Sequence, residues 1–329
     1  IGIGNAFIGS MLAWLVLARR TRLMTQHIQS RTMPDFFGSR YGSEGLRVAA
    51  SIIAFVFLIP YTAGVYMGIS TLFEMGFGVP YTYCAWAMAI LTAVYVILGG
   101  YKATAINDFI QGIIMLVGIT TVIAVVLDGK GGLCAAVQSL GAVPSDADPA
   151  VNGAFAAWFG PDVWRGTVIS TLFAVVVAGG CYFLGGFARL FPAPDVLPNG
   201  RLAYDSIIPT MLSANLPAAL MALVLLLVLS ASMSTLASLV LTSSSTMTLD
   251  LIYRDKQSRE DEVSQGKINA EVAAKIERRK VVVMRVLIVF FIVISLMIAL
   301  NPPQFIAQLM GISWGALAGA FLAPFMLGL

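Results

Sequence analysis

The sequence predicts an all-α integral membrane protein, a multi-span bundle of helices, and three observations carry that prediction. Of its 329 residues, 58% are hydrophobic and 11% charged, where soluble domains run at about 25% charged and about 45–50% apolar. The apolar residues are gathered into runs that reach the roughly 20 residues a helix needs to cross the hydrocarbon layer. The basic residues stand beside the ends of those runs, as the positive-inside rule requires. The formal net charge of +3 therefore reports orientation in a lipid bilayer and calls for no nucleic-acid partner.

Taken in order, the runs predict spans at about 1–18, 48–77, 81–98, 103–127, 166–190, 214–241, 281–300 and 306–329. The first ends at Arg19, Arg20 and Arg22, and the polar stretch behind it adds Arg31, Arg40 and Arg47, so that loop is expected in the cytoplasm. The second carries Pro60, which membrane helices tolerate, and ends in the short turn Gly78-Val79-Pro80. The third and fourth read as a hairpin about the tight turn Gly99-Gly100-Tyr101-Lys102. A loop with Pro192, Pro198, Asp205 and Pro209 separates the fifth and sixth. After Asp250 comes the most charged stretch, a basic linker over 254–280, which the same rule makes cytoplasmic and whose part from Ile268 to Lys280 reads as an exposed helix. The last two spans flank Pro302-Pro303.

Counting crossings exposes a conflict. The span ending near Leu127 leaves the chain outside, two spans follow, and the basic linker must be inside, so an odd number of crossings is required. The missing one belongs in the stretch from Asp128 to Arg165, whose apolar pieces are each too short to span. The first residue, Ile1, lies inside an apolar run with no initiating methionine, so the chain reads as a piece of something longer.

Catalytic chemistry finds little support. The single histidine, His27, lies among Arg22, Gln26 and Arg31 in a polar loop and reads as a solvated surface group. Cys84, Cys134 and Cys181 suggest neither a disulfide framework nor a zinc pattern, and no phosphate-binding loop or lipase-type elbow is present. No enzyme is expected, and no metal beyond an alkali cation.

The informative residues are polar groups inside apolar runs, because each is costly in hydrocarbon. Between Leu229 and Ser238 hydroxyls are dense, and at 3.6 residues per turn Ala231, Ser234, Thr235 and Ser238 share one helical face. Such oxygens, with a backbone carbonyl, make a hard neutral cage suited to an alkali cation. The same residues also suit close helix packing with hydroxyls bonded back to the preceding turn. Asp108 lies one to two turns into the span after Lys102, where a carboxylate serves either as a cation ligand or as a helix cap. Glu74 and Asp250 stand near span ends and read as interfacial.

Four stretches resemble the solute:sodium symporter family. They are Thr32-Met33-Pro34-Asp35-Phe36-Phe37-Gly38-Ser39-Arg40-Tyr41-Gly42, Gly99-Gly100-Tyr101-Lys102-Ala103 through Asp108-Phe109-Ile110-Gln111, Ala231 through Ser238, and Ser313-Trp314-Gly315 through Pro324. The resemblance implies a LeuT-type inverted repeat of five plus five helices. It implies sodium-coupled symport of a small organic solute across the plasma (inner) membrane, with Na+ as the coupling ion. The second sodium site of the family would use the carbonyl of Ala231 and the hydroxyls of Ser234 and Thr235. A third site, found in some members, would use Asp108, Ser234 and Ser238, and Ala237 stands where a serine is expected there. By the same resemblance the first core helix lies upstream of Ile1, and the crossing absent between 128 and 165 is the sixth. Two further readings stay open: a membrane sensor module built on a transporter-like fold, and an inactive shortened copy. The substrate-binding residues are not legible.

Overall fold

The computed structural model describes residues 19–30, 32–128, 175–179, 204–253, 270–301 and 305–329, together with Leu17 and Cys181. Among these residues every regular element is a helix. They are α1 (Arg19–His27), α2 (Met33–Tyr41), α3 (Glu44–Phe77), α4 (Tyr81–Asp128), α5 (Ile207–Asn215), α6 (Ala218–Thr246), α7 (Ala270–Leu300) and α8 (Ile306–Gly328). Wider π-helical turns occur at Val175–Gly179 and at Met247–Ile252, where the second continues α6.

Among the described residues, six helical segments are long and apolar enough to cross a membrane: Glu44–Phe77, Tyr81–Gly99, Thr104–Val122, Ala218–Ile252, Lys275–Leu300 and Ile306–Gly328. Helices suit this setting because every peptide group finds its partner within the segment. The structure differs from the expected hairpin at one point. Helical bonding runs from Tyr81 to Asp128 without interruption, through the glycines where a tight turn was expected. Two stretches within its 48 residues, Tyr81–Gly99 and Thr104–Val122, are each long and apolar enough to cross, and helical pairing spares the peptides of Gly99 and Gly100 from being left open, as a turn would leave them. Residues 1–18, apart from Leu17, lie outside the described residues, as do 129–165 and most of 166–190.

The chain divides into two compact units. The first comprises Ile1–Arg19, Met75–Gly78 and Ile110–Ser230. In its described part, small residues let helices close on one another: a Cβ on Gly118 would lie 2.5 Å from the Leu227 side chain, and one on Gly76 2.8 Å from Leu225. Close approach through glycine is a standard device where lipid removes the hydrophobic drive for helix association.

The second unit comprises Arg20–Glu74, Val79–Phe109 and Ala231–Leu329. Its central element is α3, half of whose apolar window is buried, a larger share than in any other described span. Phe55 of α3 packs edge-on against Phe291 of α7, with ring centroids 5.4 Å apart. Gly64 and Gly68 of α3 face Ile306 and Met310 of α8. Pro60 removes the amide that would serve the Val56 carbonyl, and the adjacent Phe57 carbonyl accepts a hydrogen bond from the buried Ser313 hydroxyl of α8. Glu74 accepts from the Tyr81 amide at 3.0 Å and so satisfies one of the open donors that begin α4. Tyr81 in turn donates its hydroxyl to the Ala299 carbonyl of α7 at 2.7 Å.

Candidate functional site

The segment of α6 from Ala231 onward belongs to the second unit, and it has two faces. Ser232, Met233, Leu236, Ala237, Leu239 and Val240 are buried. Thr92 of α4 lies on this side, with its hydroxyl 4.0 Å from the sulfur of Met233. Ala231, Ser234 and Thr235 are half-buried and Ser238 is exposed, so the four residues singled out by their spacing do form one face, and it is the face that the core of the unit leaves uncovered.

Two of its hydroxyls are bonded back along the helix. Thr235 donates to the Ala231 carbonyl at 2.9 Å, and Ser238 donates to the Thr235 carbonyl at 2.9 Å. This is the geometry of the packing alternative, yet it does not exhaust these oxygens. A hydroxyl has one proton and two lone pairs. With the proton committed to a carbonyl on its own helix, what remains to face outward is acceptor only, which is the polarity a cation requires. The Ala231 carbonyl accepts from the Thr235 hydroxyl and, as part of the helix, from the Thr235 amide, so an ion would share this oxygen with both donors.

Asp108 is in the interior of α4, well past the first turn, so it cannot cap that helix. One of its carboxylate oxygens, Oδ1, is buried and has no hydrogen-bond partner. A buried carboxylate oxygen left in that condition is costly unless something positive meets it. Among the described residues no hydrogen bond or ion pair joins Asp108 to the α6 face. His27 is exposed, and no grouping of three or more His, Cys, Asp or Glu side chains with metal-binding geometry occurs among the described residues.

Asp250 stands at the end of its span, as expected, but it is covered by protein and not by solvent. It is 2% exposed and lies in the π-helical end of α6. The Thr32 hydroxyl donates to its Oδ2 at 2.6 Å, and Arg47 Nε stands 3.6 Å from its Oδ1. The Arg47 guanidinium also pairs with the buried Asp35 at 2.5 Å and approaches the exposed Glu44 at 3.8 Å. The sequence reading treated Arg47 only as a marker of sidedness. What it lacked was the fold that brings residues 32, 35, 47 and 250 together. The one local signal was Thr32 three residues before Asp35, a helix-start pattern: Thr32 caps α2, accepting from the Asp35 amide at 3.1 Å.

Residues 3–159 and 151–329 match the sodium:solute symporter family. Among curated proteins the chain is 26% identical to the sodium/pantothenate symporter of Escherichia coli, over 98% of this chain and 70% of that protein. It is 24% identical to the osmoregulated proline transporter of Bacillus subtilis, over 98% and 68% respectively. Over a shorter stretch, 38% of this chain and 25% of its relative, it is 32% identical to a sodium/proline symporter of Staphylococcus aureus. Among solved structures, a Na+-coupled sialic acid symporter in a substrate-bound outward-open state superposes with a TM-score of 0.62, covering 97% of this chain and 74% of that one at 15% identity. That likeness confirms the symporter fold. The helical architecture, the membrane-length segments and the match along nearly the whole chain agree: this is a multi-pass membrane protein that belongs to the sodium:solute symporter family.

Proposed function

We propose that the coupling sodium ion is held at the uncovered face of α6, by the Ala231 carbonyl and the Ser234 and Thr235 hydroxyls, and that its entry drives uptake of a small organic solute. Sodium-coupled solute symport is the activity of the family, and Na+ is its coupling ion. The observation that carries the assignment to this face is the Thr235 hydroxyl, whose proton is directed to Ala231 at 2.9 Å and whose lone pairs are left for a ligand. A second ion near Asp108 and Ser238 is supported by the buried, unpartnered Asp108 oxygen. The driving force follows from charge: each positive charge moved inward gains about 2.3 kcal/mol per 100 mV of inside-negative potential.

For the solute, the names of the relatives favour a small organic carboxylate, since pantothenate, proline and sialic acid all carry one. A binding site of modest size serves such molecules in secondary transporters, where half-helix ends near the midplane meet the anionic group.

The test uses the purified chain in detergent, unfolded thermally in sodium or potassium chloride at equal ionic strength. Sodium is expected to stabilise it selectively, since a ligand bound only to the native state at about 100 times its Kd adds about 2.7 kcal/mol. Thr235→Ala is expected to abolish most of that increment and Thr235→Ser to keep it. Equal sodium stabilisation of Thr235→Ala and the wild type would remove the assignment. In liposomes, sodium-driven uptake of labelled proline, pantothenate and sialic acid, compared with a neutral sugar, tests the solute class.

A further inference from the structure

The cluster of Thr32, Asp35, Arg47 and Asp250 gathers ionised groups from three separate elements, and all of it lies within the second unit. Arg47 stands in the first turn of α3 and Asp35 in the first turn of α2. Asp250 ends the helix that presents Ala231, Ser234 and Thr235. Side-chain exposures of 15% for Arg47, 9% for Asp35 and 2% for Asp250 mean that these charges are held largely away from water. Charges so placed persist only when geometry pairs them.

Two further features fix the frame around them. The Arg47 stem lies on Gly38 so closely that a Cβ there would be 2.9 Å from Arg47 Cβ, so α2 seats the arginine as a bridge. The other end of α2 is tied to the end of α8. Arg40 Nε donates to the Gly328 carbonyl at 2.7 Å, and the Tyr41 hydroxyl donates to the Pro324 carbonyl at 2.6 Å. Phe36 and Phe37 fill the space between, against Phe325 and Phe321. Helix α2 is thus anchored on α8 and α3, and through Thr32 and Arg47 it reaches α6.

The contacts of Arg47 with the two buried carboxylates are unequal: it is hydrogen-bonded to Asp35, while to Asp250 it makes only a longer ionic approach. It meets Asp35 at 2.5 Å and Asp250 at 3.6 Å. The pair within the α2–α3 frame is the tight one, and the pair to α6 is the loose one. The backbone at the loose side is a π turn, a departure from regular α-helix that recurs at functional sites.

We propose that Asp250 is a positioning residue for sodium binding, setting the roll of α6 through Thr32 and Arg47 so that the hydroxyl face is presented to the ion. This rests on the assignment of sodium to that face. A helix with its end released must be ordered at the moment of binding, and that cost appears as weaker sodium affinity. The pair to Asp250 is the joint that yields when α6 moves, while Arg47 stays with Asp35.

The experiment measures the sodium concentration giving half of the maximal thermal stabilisation, with the same chain in detergent and potassium as control, and records Tm without sodium separately. Asp250→Asn is expected to raise the half-saturating sodium about tenfold, and Thr32→Val about threefold, within the range of measured couplings between sites. Thr32→Val changes no charge, so its shift reports position and not electrostatic attraction. Thr32→Ser, which keeps the hydroxyl, is expected to restore the wild-type value. Asp35→Asn leaves Arg47 to Asp250 and is expected to bind sodium at least as tightly as the wild type. Should Asp250→Asn fail to fold, Thr32→Val and Thr32→Ser decide by themselves. Loss of Tm with unchanged half-saturating sodium in both Asp250→Asn and Thr32→Val would overturn the proposal, leaving the cluster a structural bolt. A wild-type chain with no sodium-selective stabilisation would instead overturn the sodium assignment beneath it, and the two failures are told apart by the wild type.

Discussion

Thr235 and Asp250 stand on one continuous helical stretch, about four turns apart, and their surroundings are opposite. Around Thr235, the hydroxyls of Thr235 and Ser238 bond back to their own helix, and the face they occupy is left open by the core of the unit. Around Asp250 the carboxylate is 2% exposed and is met by a hydroxyl and a guanidinium from two other segments. Polar groups in a membrane helix are expensive in either case. Where the partners come from elsewhere in the fold, the group holds elements together. Where a polar face has only its own helix to bond to, its remaining lone pairs are available to something that arrives later.

The largest effect should come from breaking the satisfied end. Arg47→Met leaves Asp35 and Asp250 as buried carboxylates without the cation between them, and removing one member of such a set costs about 3–5 kcal/mol. Thermal unfolding in detergent should show a large drop in Tm in sodium and in potassium alike. A loss confined to sodium would mean that the arginine acts on the ion and not on the fold. Next comes the seat of that arginine. Gly38→Ala puts a methyl 2.9 Å from Arg47 Cβ, an atom too near the backbone to move freely, and overpacking of this kind costs about 1–3 kcal/mol. The same scan should show a smaller, sodium-independent drop. Tyr41→Phe removes one partly exposed hydrogen bond to the Pro324 carbonyl, a change of about 1 kcal/mol at most. The smallest effect belongs to the open face. Ser238→Ala takes away an exposed, back-bonded hydroxyl, and its stability without sodium should stay within about 0.5 kcal/mol of the wild type. A large loss there would show that the open face is packed after all, and the contrast with Asp250 would fail.

Much of the architecture was legible because the bilayer imposes a strong rule. Runs of apolar residues long enough to cross, such as Val281 to Leu300, fold as helices because no other segment keeps its peptide groups paired in lipid. The α6 face was legible for a similar reason, since helical periodicity alone brings Ala231, Ser234, Thr235 and Ser238 to one side. The continuous helix through Gly99 and Gly100 was not. Paired glycines signal a turn in water, while in a long apolar segment the need to pair backbone groups keeps them helical. Nor could Asp108 be told from a helix cap until α4 was seen to begin at Tyr81.

By itself, then, the sequence determined that this chain lives in a membrane, which family it resembles and which hydroxyls share a turn of α6. Each of those properties is local, set by composition or by the fixed period of one helix. The tertiary structure decided which side of α6 is open and where Asp250 finds its partners, because burial and ion pairing depend on segments far apart in the chain. Thr32 and Asp250 are separated by 218 positions and meet at 2.6 Å, and no periodicity in a single helix encodes that approach.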